Sequence, residues 1–398
     1  MSDIWQILRS GHWPTLVGAW LHLTVSFMVW LLIGALSLPM ATALRLTETD
    51  LALLVALPLL GGAVLRVWGG WSCDWFGAKK TAVMILLGEC AVLLWGWLVE
   101  PSVAGLWCLA VALGLGGASF AVALPLAGRA YPPSSQGLVL GLAASGNIGT
   151  VLVFFFAPRW AEVLGWQQVF GVMAGVVAAT LLLFTLLVRD GNPGDRHRRD
   201  VEWWHHAAGL IQGRSAYWLC FLYAITFGGF VGLCSLLPVL LHETYRFDAV
   251  AAGSVAALCG LVGSVIRPLG GYVADRQGGV RTLYVVFPVI VGSVVAVTSP
   301  SQAMAMTMMI VTIGAMGFGN GVVFQMVAEW FPKQIGLASG LIGAVGGIGG
   351  FVFPLGVGGL KSLTGSYDLG LWFFAGLGVC AWGTVFLSLR AGGFTRSS

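Results

Sequence analysis

Two arginines stand inside long apolar segments, where a permanent charge needs a chemical reason. Arg66 is the one charge within residues 51–71, and Arg267 lies 201 residues later in a second apolar segment. The run RVWGGWSCD, from Arg66 to Asp74, returns as RPLGGYVAD from Arg267 to Asp275. At ~1.5 Å per residue, each arginine lies about 12 Å from its aspartate, which we predict to be in a loop. Both cations therefore fall near the middle of a bilayer.

An arginine at that depth must meet an anion, a cluster of carbonyl groups or water. Its burial costs about 2.5–3.5 kcal/mol on the mildest scale, and it stays protonated. Two such cations facing each other repel, and Glu89 is the one acid predicted to lie in mid-span. The simplest countercharge is a small anionic cargo, because a guanidinium fork matches two oxygens of a planar oxyanion. Alternatively, each arginine caps carbonyl groups or extends to the membrane surface.

The composition identifies an integral membrane protein. Of the 398 residues, 58% are hydrophobic and only 9% are charged, against about a quarter charged in soluble domains. The apolar runs are too long and too uniform for barrel strands, so we predict an all-α polytopic bundle. Twelve spans are predicted at residues 15–41, 50–72, 80–99, 102–130, 136–158, 167–188, 215–241, 249–273, 282–299, 302–330, 336–360 and 369–389.

The repeated arginine segment indicates two six-helix bundles in parallel orientation, since six spans restore the starting side. A second pair of matching runs, residues 144–149 and 344–349, supports the duplication. We predict an N-terminal bundle at 1–190, a cytoplasmic interdomain loop at 191–214 and a C-terminal bundle at 215–398.

The distribution of basic residues predicts the orientation. With the N-terminus inside, fourteen of the twenty Lys and Arg residues fall on the cytoplasmic side and four on the outer side. The remaining two are Arg66 and Arg267. Both termini are therefore expected in the cytoplasm.

Small and polar residues in helices 5 and 11 form a second group. Gly146 and Gly149 are matched by Gly346 and Gly349. They let helices pack tightly, and they are also candidates for bending or sliding during a conformational change. Asn147 either donates to the anion or forms a hydrogen bond between helices.

Ionisable groups elsewhere in the spans are few. Glu89 is either protonated and hydrogen-bonded or exchanges a proton during a transport cycle, and His22 is a second candidate for that exchange. The seven cysteines have no metal spacing. With no nucleophile–base set and no phosphate loop, we expect neither an enzyme nor a cofactor, a metal or a nucleic-acid partner.

Two sets of motifs resemble a known family. The segments GWSCDWFGAKK (70–80) and GYVADRQG (271–278) resemble the loop motif of the major facilitator superfamily, with Trp75 where arginine is usual. The run GNIGT (146–150) and the Gly-rich run 343–350 resemble the paired nitrate signatures of its nitrate/nitrite porter family. The resemblance covers essentially the whole chain and implies the fold of two pseudo-symmetric six-helix bundles.

The resemblance also implies roles for particular residues. Arg66 and Arg267 match the arginines that clamp the anion, and Asn147 matches the signature asparagine. Three aromatic residues match those that line the site, namely Phe120 of helix 4 and Tyr223 and Phe227 of helix 7. From the residues alone, all three aromatics would be interpreted as ordinary packing.

These features predict a monomeric transporter of nitrate, and also of nitrite, in the cytoplasmic membrane. The expected mechanism is alternating access with proton-coupled uptake, so protons and the lipid bilayer join the anion as partners. One alternative is a nitrate/nitrite antiporter driven by counterflow. Another is a membrane receptor that senses the anion without moving it.

Overall fold

The computed structural model describes residues 10–99, 102–132, 136–189, 213–299, 301–331 and 335–390. Nearly all of the predicted interdomain loop at 191–214 lies outside these ranges. Within them, twelve helices are long and apolar enough to cross a membrane. Large apolar side chains on their outer faces are exposed, as expected for contact with lipid rather than water.

The first six spanning helices occupy the chain up to residue 189. They are α1 (Trp13–Trp30 and Leu32–Leu44), α2 (Glu48–Phe76), α3 (Ala78–Leu98), α4 (Val103–Leu113, Leu115–Ala118 and Phe120–Arg129), α5 (Gln136–Ala144 and Gly149–Leu164) and α6 (Trp166–Leu187). The second six are α7 (Arg214–Tyr223 and Gly229–Tyr245), α8 (Ala249–Gln277), α9 (Gly279–Val297), α10 (Gln302–Trp330), α11 (Ile335–Thr364) and α12 (Asp368–Arg390).

The turns between helices repeat with the same period as the arginines. The non-helical caps with positive φ come in pairs 200 or 201 residues apart, namely Arg45 with Arg246, Gly77 with Gly278 and Gly165 with Gly365. Thr47 caps α2 by accepting from the Asp50 N–H, and Asp248 caps α8 by accepting from the Ala251 N–H. The two halves thus share backbone conformation as well as sequence.

The prediction that Asp74 lies in a loop between α2 and α3 was wrong. Asp74 lies in the last turn of α2, and Lys79 and Lys80 lie in the first turn of α3. Asp275 likewise lies within α8. Both long helices continue until a glycine with φ near 90°, Gly77 or Gly278, ends them, because the left-handed region is open to glycine at little steric cost. Polar residues at a helix end were mistaken for a loop.

Besides the interruption of α1 at Leu31, three helices depart from regular α geometry in the described part of the chain. α4 is divided into three segments, α5 contains a 3-10 turn at Ser145–Ile148, and α7 contains a π turn at Ala224–Gly228. Such departures are frequent at functional sites. Each of these helices carries a residue predicted to line the anion site.

The two halves meet closely near one face of the bundle. We call this the distal face, because it lies opposite the start of α1 and the end of α12. The Arg159 guanidinium of α5 donates to Ser254 Oγ of α8 at 2.9 Å. A Cβ on Gly34 of α1 would lie 3.2 Å from the Ser235 Cα of α7. Backbones that approach this closely leave no room for solvent at that contact.

An ion network adds to this closure at the distal face. The Lys361 ammonium of α11 lies 2.7 Å from the Glu48 carboxylate of α2 and 2.7 Å from the Glu243 carboxylate of α7. Tyr367 donates its hydroxyl to Glu243. Burial, together with that carboxylate, raises the pKa of Tyr367, so the hydroxyl remains a donor at neutral pH. The Glu48–Lys361 pair joins the two halves directly.

Candidate functional site: a cationic centre between the two bundles

Arg66 lies on α2 at the centre of the molecule, with only 1% of its surface exposed. Its Nε donates to Gly117 O of α4 at 3.0 Å, and its Nη1 donates to Gly343 O of α11 at 2.6 Å. The first carbonyl belongs to the same bundle and the second to the other bundle. Carbonyl capping, one of the two sequence interpretations of this arginine, therefore occurs.

The close approach of α4 to Arg66 depends on glycine. A Cβ on Gly117 would lie 2.7 Å from Gly62 Cα and 2.8 Å from Trp30 Cε2. Any larger residue would push α4 away from α2 and withdraw the carbonyl that orients the guanidinium. The interruption of α4 at Ser119 leaves this carbonyl beside the site.

Arg267 lies at the corresponding position of α8 and approaches the same centre. Its Cζ is 5.9 Å from the centroid of the Phe120 ring, while Arg66 Cζ is 5.5 Å from that centroid. Arg267 also interacts with the Tyr223 hydroxyl. The two guanidiniums are close enough to repel each other. They converge on one ring and do not point to opposite surfaces.

Aromatic rings enclose the two cations. Tyr223 and Phe227 stack with centroids 4.9 Å apart and an interplanar angle of 5°, and Phe227 lies 5.7 Å from Arg66 Cζ. The Phe324 ring of α10 is 5.3 Å from Arg267 Cζ and 5.0 Å from Tyr223. Ring faces stabilise cations through their quadrupole, and they exclude water, which strengthens electrostatic interactions inside the site.

Each guanidinium retains a buried donor without a partner. Arg66 Nη2 and Arg267 Nη1 make no hydrogen bond to any residue that the structure describes. An unpaired buried donor costs about 1–3 kcal/mol, and more when it is charged. The site thus presents two cationic donors and aromatic walls, and among the described residues neither arginine forms a salt bridge with a carboxylate. Such a centre is chemically suited to a small anion.

The predicted glycines of α5 and α11 pack symmetrically on two helices, and the predicted asparagine lies between Gly146 and Gly149. Asn147 is buried in the 3-10 turn of α5, and its Oδ1 has no partner among the described residues. A Cβ on Gly146 would contact Leu23 of α1, and one on Gly346 would contact Tyr223 of α7. Gly149 and Gly349 face the same two helices, α1 and α7, respectively. α5 therefore packs on α1 as α11 packs on α7.

Glu89 lies within the N-terminal bundle, on α3, and is fully buried. Its electrostatic partners are Ser26 of α1 and the neighbouring Cys90, and neither arginine is among them. The structure therefore does not bring Glu89 into the arginine–aromatic cluster.

Sequence reasoning missed two side chains that contact the arginines. The Trp30 ring of α1 lies 5.5 Å from Arg66 Cζ, and its Nε1 donates to Pro58 O of α2 at 2.7 Å. Phe324 contacts Arg267, as described above. The chain has 18 Trp and 22 Phe, so the sequence does not distinguish these two aromatic residues from those that only pack. By contrast, Asn320 of α10, buried and with Oδ1 unpaired in the described structure, was detectable as a polar amide in the middle of an apolar span.

Two six-helix bundles that enclose a buried cationic centre define a multi-pass membrane protein with transporter architecture. The family model described as "Major Facilitator Superfamily" matches residues 18–354. The chain belongs to this superfamily and, within it, to the nitrate/nitrite porter family.

Three comparisons illustrate this membership. The chain is 30% identical to the "Nitrite extrusion protein" of Bacillus subtilis over 88% of both chains. It is 32% identical to the "Probable nitrate/nitrite transporter NarK2" of Mycobacterium tuberculosis, over 83% of this chain and 85% of the relative. A solved bacterial homologue of the human lysosomal transporter Spinster superposes with a TM-score of 0.73 at 17% identity, covering 94% of this chain and 96% of the other. That last likeness concerns the fold alone.

Proposed function

We propose that the protein is a secondary active transporter of nitrate that also accepts nitrite, and not an enzyme. The anion binds between Arg66 and Arg267, against Phe120 and the stacked pair Tyr223 and Phe227. The observation that supports this best is the pair of unpaired, buried guanidinium donors on converging side chains. A planar oxyanion offers each of them an acceptor and supplies the charge that the centre lacks. The names of the two relatives point to the same substrates.

Transport proceeds by alternating access, with the two bundles rocking about the anion site. The distal face is the outer one, which follows from the excess of basic residues on the side of the termini. The protein thus lies in the cytoplasmic membrane with both termini inside, and we propose that it acts as a monomer. In this conformation the Glu48–Lys361 pair and the α5–α8 contact close the outer side.

Uptake of an anion against the membrane potential requires a coupled ion. Moving one negative charge inward costs about 2.3 kcal/mol per 100 mV. Proton symport with more than one proton per nitrate meets this cost. Glu89 is the residue that we assign to proton binding, because it is a fully buried acid whose carboxylate oxygens have no hydrogen-bond partner in the described structure.

The arginine site is tested by nitrate uptake into proteoliposomes. Arg66→Ala and Arg267→Ala each remove charge-assisted hydrogen bonds worth about 1.5–3 kcal/mol, so the apparent KM for nitrate should rise at least about tenfold. Arg390→Ala is the control, because Arg390 is an exposed cation at the end of α12, outside the anion site and the quoted motifs. Wild-type nitrate affinity in both site variants would disprove the clamp.

Nitrate/nitrite exchange is the second candidate, favoured by the similarity to a protein named for nitrite extrusion. Here the inward movement of one anion is balanced by the outward movement of another, so the membrane potential imposes no cost. Loading the vesicles with nitrite should then stimulate nitrate uptake, whereas an imposed pH gradient should not. The opposite result supports proton symport.

A further inference from the structure

A stripe of buried residues on α1 runs from the interior of the N-terminal bundle to the anion site. His22, Ser26 and Trp30 are spaced four residues apart, so they lie on one face of the helix. All three are buried, with exposed fractions of 0%, 0% and 1%. In the middle of the stripe Ser26 interacts with Glu89 of α3, and at one end Trp30 packs over Arg66 of α2.

Five polar atoms of this region have no hydrogen-bond partner among the described residues. They are both ring nitrogens of His22, the hydroxyl oxygen of Ser26 and both carboxyl oxygens of Glu89. The Ser26–Glu89 interaction falls short of hydrogen-bond geometry. Buried polar atoms are nearly always paired, and each unpaired group costs about 1–3 kcal/mol. Glu89 interacts with Ser26, and His22 lies one helical turn before Ser26 on the same face of α1. An acid, a hydroxyl and an imidazole are groups that bind and relay protons.

The surroundings of this cluster are mostly apolar. The Phe184 ring of α6 lies 5.6 Å from the His22 ring, and Cys90 adjoins Glu89 on α3. The other titratable or charged side chains on the first six helices and the turns between them, where their side chains are described, are Arg45, Glu48, Asp50, Arg66, Cys73, Lys79, Lys80, Cys108, Arg129, Tyr131, Arg159 and Glu162. Of the charged ones, Arg66 is the one linked to the stripe by a described contact, through the Trp30 ring.

Two sets of contacts connect the region of His22, Ser26 and Glu89 to the anion site. Trp30 is held to α2 by its hydrogen bond to Pro58 O and covers Arg66. In α4, a Cβ on Gly116 would lie 3.0 Å from Trp30 N, so α4 rests directly on the stripe. The next residue, Gly117, accepts the hydrogen bond from Arg66 Nε. A small shift of α1 at Ser26 therefore changes the position of Arg66.

We propose that His22, Ser26 and Glu89 form one proton-binding site, separate from the anion site and coupled to it through Trp30. A proton that enters the site is taken up on the Glu89 carboxylate or the His22 imidazole, and the Ser26 hydroxyl bridges the two. No bond other than that to the proton forms or breaks. The inference rests on the proposed transport function and extends it by assigning His22, Ser26 and Trp30.

The test measures protons moved per nitrate in proteoliposomes, with a trapped pH dye and labelled nitrate. We expect Glu89→Gln to lower this ratio at least about tenfold, and His22→Gln and Ser26→Ala to lower it about threefold or more. Glu162→Gln, an exposed acid on α5, is the matched control and should keep the wild-type ratio. Nitrate/nitrate exchange, which needs no net proton movement, should remain measurable in each variant.

The outcomes separate this inference from the proposed function. A wild-type ratio in His22→Gln and Ser26→Ala, with loss in Glu89→Gln alone, would overturn the shared site and leave proton symport intact. A wild-type ratio in Glu89→Gln would overturn it as well, as would wild-type protein that exchanges nitrate without moving protons. Should Glu89→Gln fail to assemble, Ser26→Ala, which removes a single oxygen, still decides whether the cluster acts as a unit.

Discussion

Arg66 both caps backbone carbonyls and keeps a donor free for an anion. Its Nε and Nη1 are fixed by backbone carbonyls from α4 and α11, while Nη2 remains unpaired in the described structure. The carbonyls contribute partial negative charge and fix the plane of the Arg66 guanidinium group. Because this group is already oriented, ordering it lowers the binding free energy of the anion only slightly.

Gly343 offers a test of this orientation. A Cβ at this position would lie 2.9 Å from Arg66 Nη1 and 3.3 Å from its Cδ, so Gly343→Ala should displace the guanidinium. We expect about a tenfold loss of nitrate affinity, equivalent to one hydrogen bond of about 1.4 kcal/mol, measured as the Kd of purified protein. Gly340→Ala on the same helix is the control, because a Cβ there meets nothing within 4 Å. Equal Kd values for the two variants would contradict the role of the carbonyl.

At the scale of the helices, the contact between α5 and α8 is the clearest sign of closure at the distal face. A Cβ on Gly260 would lie 4.0 Å from Thr150 Cβ, within the 3.5–4.5 Å range of disulfides. In a variant whose seven native cysteines are replaced by serine, Thr150→Cys with Gly260→Cys should cross-link on oxidation. Because the bundles must separate here, nitrate uptake should fall by about tenfold or more and return after reduction.

A cross-link within one bundle provides the control for this experiment. A Cβ on Gly319 of α10 would lie 3.5 Å from Thr226 Cβ of α7, within the disulfide range, and both helices belong to the C-terminal half. Thr226→Cys with Gly319→Cys should leave uptake within about twofold, since rocking moves each bundle as a unit. Full transport by the oxidised α5–α8 pair would show that this interface does not open.

For the whole molecule, duplication explains which features the sequence could predict. A period of about 201 residues relates the arginines and the turns, so the two-bundle fold and the facing cations followed from spacing alone. The aromatic residues that line the site could not be predicted from spacing. In a chain that is 58% hydrophobic, they look the same as residues that only pack. Phe120, Tyr223 and Phe227 came from the family resemblance, and Trp30 and Phe324 required coordinates.

The carbonyl ligands of Arg66 were also beyond prediction. Every residue carries a carbonyl, and only the packing of α4 and α11 selects Gly117 and Gly343 as acceptors. A helical carbonyl has a second lone pair available after its helix bond, which sequence patterns do not reveal. The extent of α2 was likewise underestimated, because polar residues at its end resembled a loop.

The central claim is that one anion is held by both arginines at once. Its most direct test is the nitrate Kd of purified protein, measured by calorimetry for wild type, Arg66→Ala, Arg267→Ala and the double variant. Each single change should weaken binding by about 10–150-fold, and the double loss should differ from the sum of the two by at least about 0.5 kcal/mol. A wild-type Kd in either single variant, or strictly additive losses, would place the guanidiniums in separate sites and contradict the account.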